Sequence, residues 1–70
     1  MKPAALRERR DRVPFRAFVI ELMSGTRLTV RHPENIMITK HLGVVRTAGD
    51  DAVLFTPQEV AAVFPIRNGR

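Results

Sequence analysis

The chain contains no cysteine, no tryptophan and no tyrosine. Without cysteine there is neither a disulfide framework nor a thiolate metal site. A chain of 70 residues therefore holds together by packing alone, or by packing plus self-association. Without tyrosine and tryptophan, the usual platforms for stacking single-stranded bases are missing. The aromatic set is Phe15, Phe18, Phe55 and Phe64, and most of these are needed in the core. No apolar run approaches the ~20 residues of a membrane span. The opening twelve residues are charged and lack the apolar run, roughly 7–15 residues long, that a signal peptide needs. These absences lead to the expectation of a soluble, cytoplasmic protein without a membrane partner.

Catalytic material is equally scarce. Serine occurs only as Ser24, in a turn and with no base nearby, so nucleophilic catalysis has no candidate. His32, His41, Glu34, Asp50 and Asp51 lack the spacing of a preformed metal site. His32 before Pro33 instead suits a corner, where it caps the turn or bonds to backbone. Asp50 and Asp51 sit at a glycine-containing turn, where aspartate is favoured for its local hydrogen bonding. No glycine turn is followed by the lysine and helix of a phosphate-binding loop. The expectation is a non-enzyme with no cofactor, no metal and no small-molecule substrate.

What is present in excess is arginine at the ends. Net charge is +5. Residues 1–12 hold Lys2, Arg7, Arg9, Arg10 and Arg12 against Glu8 and Asp11, whereas residues 13–63 carry five basic and five acidic side chains. Arg67 and Arg70 supply the remainder. Two readings follow from a neutral body with basic ends: solvated tails that keep a small domain soluble, or arms that follow a phosphate backbone.

Along the chain, Ala4 to Arg12 predicts a short helix that is marginal alone and forms if Ala5 and Leu6 dock on the body. A Glu8–Arg12 pair at i,i+4 supports it, and Pro14 ends it. From Phe15 the period becomes two. Phe18, Ile20 and Leu22 share a core face, with Val19, Glu21 and Met23 opposite. Ser24-Gly25 predicts a tight turn. Leu28 and Val30 then face inward while Arg27, Thr29 and Arg31 face water. His32 to Asn35 reads as a turn or one helical turn, since Pro33 cannot donate to a ladder. Ile36 and Ile38 resume the core face. Residues 44–47 and 52–55 form two further strands around an Ala48–Asp51 turn. Thr56-Pro57-Gln58-Glu59 is a capping box with proline at the first helical position. Two outcomes stay open after it, a short helix or one helical turn leading to a closing strand at 62–66; the second is favoured because it covers a sheet edge.

Short antiparallel runs in so small a chain predict a mainly β fold. Its form would be a five- to six-stranded antiparallel barrel of Src-homology-3-like or Sm-like type, with a short N-terminal helix. The expected divisions are a basic helix at 1–12, the barrel at 13–66 and a basic tail at 67–70. The run Pro14-Phe15-Arg16-Ala17-Phe18-Val19-Ile20-Glu21-Leu22, then Gly25, then Val30-Arg31-His32-Pro33-Glu34, resembles a group of small uncharacterised bacterial proteins. Their shared pattern is roughly P-F-x-P-F-x-I-x-L-x-D-G, followed by V-x-H-P-E. Ala17 and Ser24 depart from it. The match covers about a third of the chain; it implies a small barrel and carries no activity. More loosely, the hairpin is similar to the first half of Sm-like and Hfq-type RNA-binding barrels.

Two function classes remain. The first is a module binding RNA or DNA through arginine–phosphate contacts, carried by Lys2, Arg7, Arg9, Arg10, Arg12, Arg16, Arg27 and Arg31. The second is a protein-interaction or assembly subunit. It would use open strand edges and an outward face of Val19, Met23 and Met37, pairing with itself as a homo-oligomer or with another protein.

Overall fold

The computed structural model describes residues 1–47 and 49–66. The expected tail at 67–70, with Arg67 and Arg70, lies outside the described residues, as does Ala48 in the turn expected at 48–51. Helix α1 (Pro3–Asp11) is followed by β1 (Phe18–Leu22), β2 (Arg27–Val30), β3 (Ile36–Ile38), β4 (Gly43–Arg46), β5 (Ala52–Phe55) and β6 (Val60–Pro65). Single 3₁₀ turns at Pro33–Asn35 and Pro57–Glu59 precede β3 and β6. The strands form two antiparallel sheets, β2-β1-β6 and β3-β4-β5. The mainly β class and the helix match the sequence reading. No ladder joins the sheets among the described residues; instead the two share one core.

That core is built by the period-two pattern. Phe18, Ile20 and Leu22 from β1, Leu28 and Val30 from β2, Ile36 and Ile38 from β3, and Val45, Phe55 and Val60 are all buried. Leu6 joins them with no exposed surface. The N-terminal helix is thus part of the core, although its neighbour Ala5 is exposed. One close approach fixes the second sheet. Gly43 pairs with Phe55, and a Cβ at position 43 would lie 2.4 Å from the Phe55 ring carbon Cζ. Glycine leaves the space into which the phenylalanine ring settles.

Several local expectations change. The helix stops at Asp11, and Arg12 is already extended at φ −61° and ψ 138°. That conformation takes Arg12 off the helical face it would share with Glu8, and Arg10 pairs with Asp11 instead. The first turn is wider than a two-residue loop. Leu22 N–H donates to the Thr26 carbonyl (2.8 Å) and Gly25 N–H to the Leu22 carbonyl (2.9 Å), leaving three residues in the loop. Gly25 is its last residue and takes φ +94°, the left-handed position such loops require. The β4–β5 turn repeats the pattern: Thr47 N–H bonds to Asp51 (2.8 Å) and Asp50 N–H to Thr47 (3.0 Å). There Asp50, not the adjacent Gly49, carries the positive φ, at 64°.

At the first corner, His32 does not cap through its side chain; its carbonyl accepts from Asn35 N–H at 3.0 Å. The imidazole is left exposed. At the second corner, Thr56 donates its N–H (2.7 Å) and its hydroxyl (3.1 Å) to Glu59 Oε1. One 3₁₀ turn results, and the strand begins directly after it at Val60, two residues earlier than expected. A register shift between Glu21 and Leu22, opposite Ala62 and Val60, bends this last strand over β1.

Candidate nucleic-acid interface

The end of α1 and the approach to β1 define the first basic region. The chain leaves the helix at Arg12, passes through Val13 and Pro14, and enters the sheet after Arg16. This path wraps a cleft of about 580 Å³ lined by Arg9, Arg12, Val13, Pro14, Arg16 and Pro65. No acidic side chain lines it. Among the described residues none of the three arginines has an ion-pair partner. Arg12 and Arg16 are exposed and Arg9 is half-buried, so three guanidinium groups meet solvent at one place. Pro65 forms part of the floor because it pairs with Phe18 at the end of β6.

The remaining helix cations are placed differently. Arg10 Nε donates to Asp11 Oδ1 at 2.9 Å and a second nitrogen reaches Oδ2 at 3.3 Å. That hydrogen bond, with the charges of Arg10 and Arg7 behind it, holds the Asp11 carboxyl below its ordinary value of 3.8. Asp11 in turn raises the Arg10 pKa. Arg10 is therefore already neutralised locally. Lys2 is exposed at the helix start, and Arg7 is half-buried on the helix; neither lines the cleft.

Arg27 and Arg31 belong to a second depression. A groove of about 710 Å³ is lined by both of them and by Leu28, Thr29, His32, Asn35, Arg46, Thr47 and Asp50. Two of its three arginines are committed. Arg27 Nε donates to Glu21 Oε2 at 3.3 Å while its guanidinium lies 5.6 Å from the centre of the Phe64 ring. Arg46 Nε donates to Asp50 Oδ1 at 2.9 Å. The sequence reading put Arg16 in one set with the helix cations and with Arg27 and Arg31; the fold divides that set and places Arg16 with Arg9 and Arg12. It also missed Arg46. Counting in twos from the buried Val45 puts Arg46 and Val44 on the outer face; two adjacent valines show no alternation that says which of them faces inward.

Phenylalanine offers no stacking surface. Phe18 and Phe55 are buried, Phe15 tilts against Phe18 with ring centres 6.0 Å apart, and Arg27 covers Phe64. Nor do three histidine, aspartate or glutamate side chains converge among the described residues.

The expected outward trio is divided. Val19 is half-buried in the first sheet, Met23 lies in the hairpin loop at 76% exposure, and Met37 lies in the second sheet at 62%. A different apolar row exists. Met37 pairs with Val44 and Val44 with Leu54, so the three cross the outer face of the second sheet side by side. Leu54 is also 62% exposed.

No helix is long and apolar enough to cross a membrane among the described residues. Comparison with protein-family models, with curated proteins and with solved structures finds no match to this chain.

Proposed function

We propose that this protein is a non-enzymatic binding module for RNA or DNA, engaging the phosphate backbone through Arg9, Arg12 and Arg16. One observation carries the reading: three arginines without acidic partners converge on one acid-free cleft. Guanidinium groups suit phosphate because their donors form a planar fork. The lack of an exposed aromatic platform directs the contact to the backbone instead of the bases. Lys2, Arg7 and Arg31 extend the positive field, whereas Arg10 and Arg27 contribute less because Asp11 and Glu21 hold them. In this reading the two sheets are halves of one small barrel of Src-homology-3-like or Sm-like type. The single 3₁₀ turn between β2 and β3 would be the corner at which one long strand passes from sheet to sheet.

The test is the salt dependence of binding to a labelled single-stranded RNA. Three neutralised phosphates give a slope of log affinity against log salt of about −2, since each contributes about 0.7 on single strands. Binding indifferent to salt contradicts the proposal. The chain's lack of tyrosine and tryptophan makes a simpler check available, because any co-purified nucleic acid would dominate the ultraviolet spectrum.

A second reading, an assembly subunit, draws support from the Met37–Val44–Leu54 row. It requires a mass that rises with protein concentration and returns to monomer in Leu54→Glu. An unchanged monomeric mass for the unsubstituted protein removes it.

A further inference from the structure

The groove beside Arg31 follows an unpaired strand edge. In the β1–β2 ladder, Phe18–Val30 and Ile20–Leu28 continue the hydrogen-bonded spacing of the Leu22–Thr26 closure. The alternate residues Arg27 and Thr29 consequently aim N–H and C=O away from β1. No strand pairs with that side of β2 among the described residues. The groove runs along it, with Arg46, Thr47 and Asp50 on the far wall.

We propose that this groove receives an extended acidic segment of a partner protein as an added strand of the first sheet. Three observations choose this occupant. The edge offers donors and acceptors in alternation, which a peptide backbone satisfies completely; a phosphate backbone supplies acceptors only and would leave the carbonyls facing like dipoles. Glu21 holds Arg27 and Asp50 holds Arg46, which leaves Arg31 as the lining charge without an ion-pair partner among the described residues, so the complementary charge is negative. A second copy pairing through the same edge, with the symmetry axis at Thr29, would set Arg27 against Arg31 of its mate, and like charges directly opposite are destabilising. The fold also specifies the side-chain pattern. On an added strand, every second residue stands beside Arg27, Thr29 and Arg31 on the outer face. The residues between continue the apolar side that carries Leu28 and Val30. An acidic residue alternating with a β-branched apolar one meets both demands.

The probe is a short labelled peptide of alternating glutamate and valine, titrated into the full chain. Hydrogen exchange at the backbone amides reports the register. Binding with slowed exchange at the Thr29 amide is the expected result. Replacing glutamate by lysine abolishes it, and methylating alternate peptide nitrogens weakens it because the ladder donors are gone. Arg31→Glu weakens binding by at least about tenfold through like-charge repulsion. Thr29→Pro removes only the outward donor and blocks binding, with the N-methylated peptide serving as the equivalent test if that variant fails to fold. No binding, equal binding of the lysine peptide, or slowed exchange at Thr29 produced by single-stranded RNA instead would each overturn the proposal. Because the groove and the helix-side cleft share no residue, a variant lacking Arg9, Arg12 and Arg16 retains peptide binding. Failure at either site is then visible separately.

Discussion

The two arginine-lined depressions contain the same side chain in opposite circumstances. In the helix-side cleft no acid joins Arg9, Arg12 and Arg16 in the lining, and none of the three forms an ion pair among the described residues. In the groove along β2, Arg27 is held by Glu21 and lies over Phe64, and Arg46 is held by Asp50. The difference comes from local structure. Strands set residues opposite one another, and the register places Glu21 directly across from Arg27, where an opposite-charge pair is favourable. The stretch from Arg12 to Arg16 lies outside any ladder, so no register sets a carboxylate opposite its cations, and the neighbouring Asp11 is taken by Arg10. Arginine in the groove is partly spent on the fold. Arginine in the cleft is available to a ligand.

The largest test of this contrast asks whether both depressions rest on one core. Gly43→Ala would force the Phe55 ring to move, since the added methyl lies 2.4 Å from Cζ. Overpacking of this kind costs about 1–3 kcal/mol. The urea midpoint should fall accordingly, and both ligand-binding activities should be lost together as the domain unfolds.

A smaller effect separates the two arginine classes. Arg27→Ala removes an ion pair and the cover over Phe64, for a loss of about 1 kcal/mol. Arg16→Ala has neither to lose and should stay within about 0.5 kcal/mol of the parent. Equal destabilisation of the two variants would erase the distinction.

The smallest effect concerns Asp11. Its carboxyl is held below the ordinary value by the Arg10 hydrogen bond. The folded state therefore binds that proton less readily than the unfolded chain. The contribution is fully present above the ordinary carboxylate pKa and disappears as pH falls through the depressed folded value. Asp11 is exposed, so solvent screening keeps the effect small. Asp11→Asn should lower stability slightly near neutrality and flatten its decline in the acid range, so that the variant and the parent converge at low pH. It should also strengthen RNA binding by releasing Arg10.

Much of the fold was legible because β periodicity is local. Phe18, Ile20, Leu22, Leu28 and Val30 declare one face by alternation, and Pro33 and Pro57 mark both corners. The site was less legible because it depends on which strands become neighbours. Arg16 and Arg27 look alike in sequence, yet the helix exit claims one and a cross-strand glutamate the other. Met37 and Leu54 are distant along the chain and meet only through Val44 between them. The helix illustrates the same limit. Leu6 was expected to dock on the body and is completely buried, whereas Ala5 stays exposed; deletion of residues 1–12 is therefore a core mutation.

The most direct measurement compares two full-length variants in one RNA anisotropy series, at about 50 mM and about 200 mM salt. One carries Arg9, Arg12 and Arg16 as alanine, and the other carries Arg27 and Arg31 as alanine. The account predicts that the parent and the groove variant both weaken by roughly 20-fold across that range. The cleft variant should bind poorly at low salt and lose little more at high salt. Loss of salt-sensitive binding in the groove variant, with the cleft variant unaffected, would contradict the assignment of phosphate contact to the helix-side cleft.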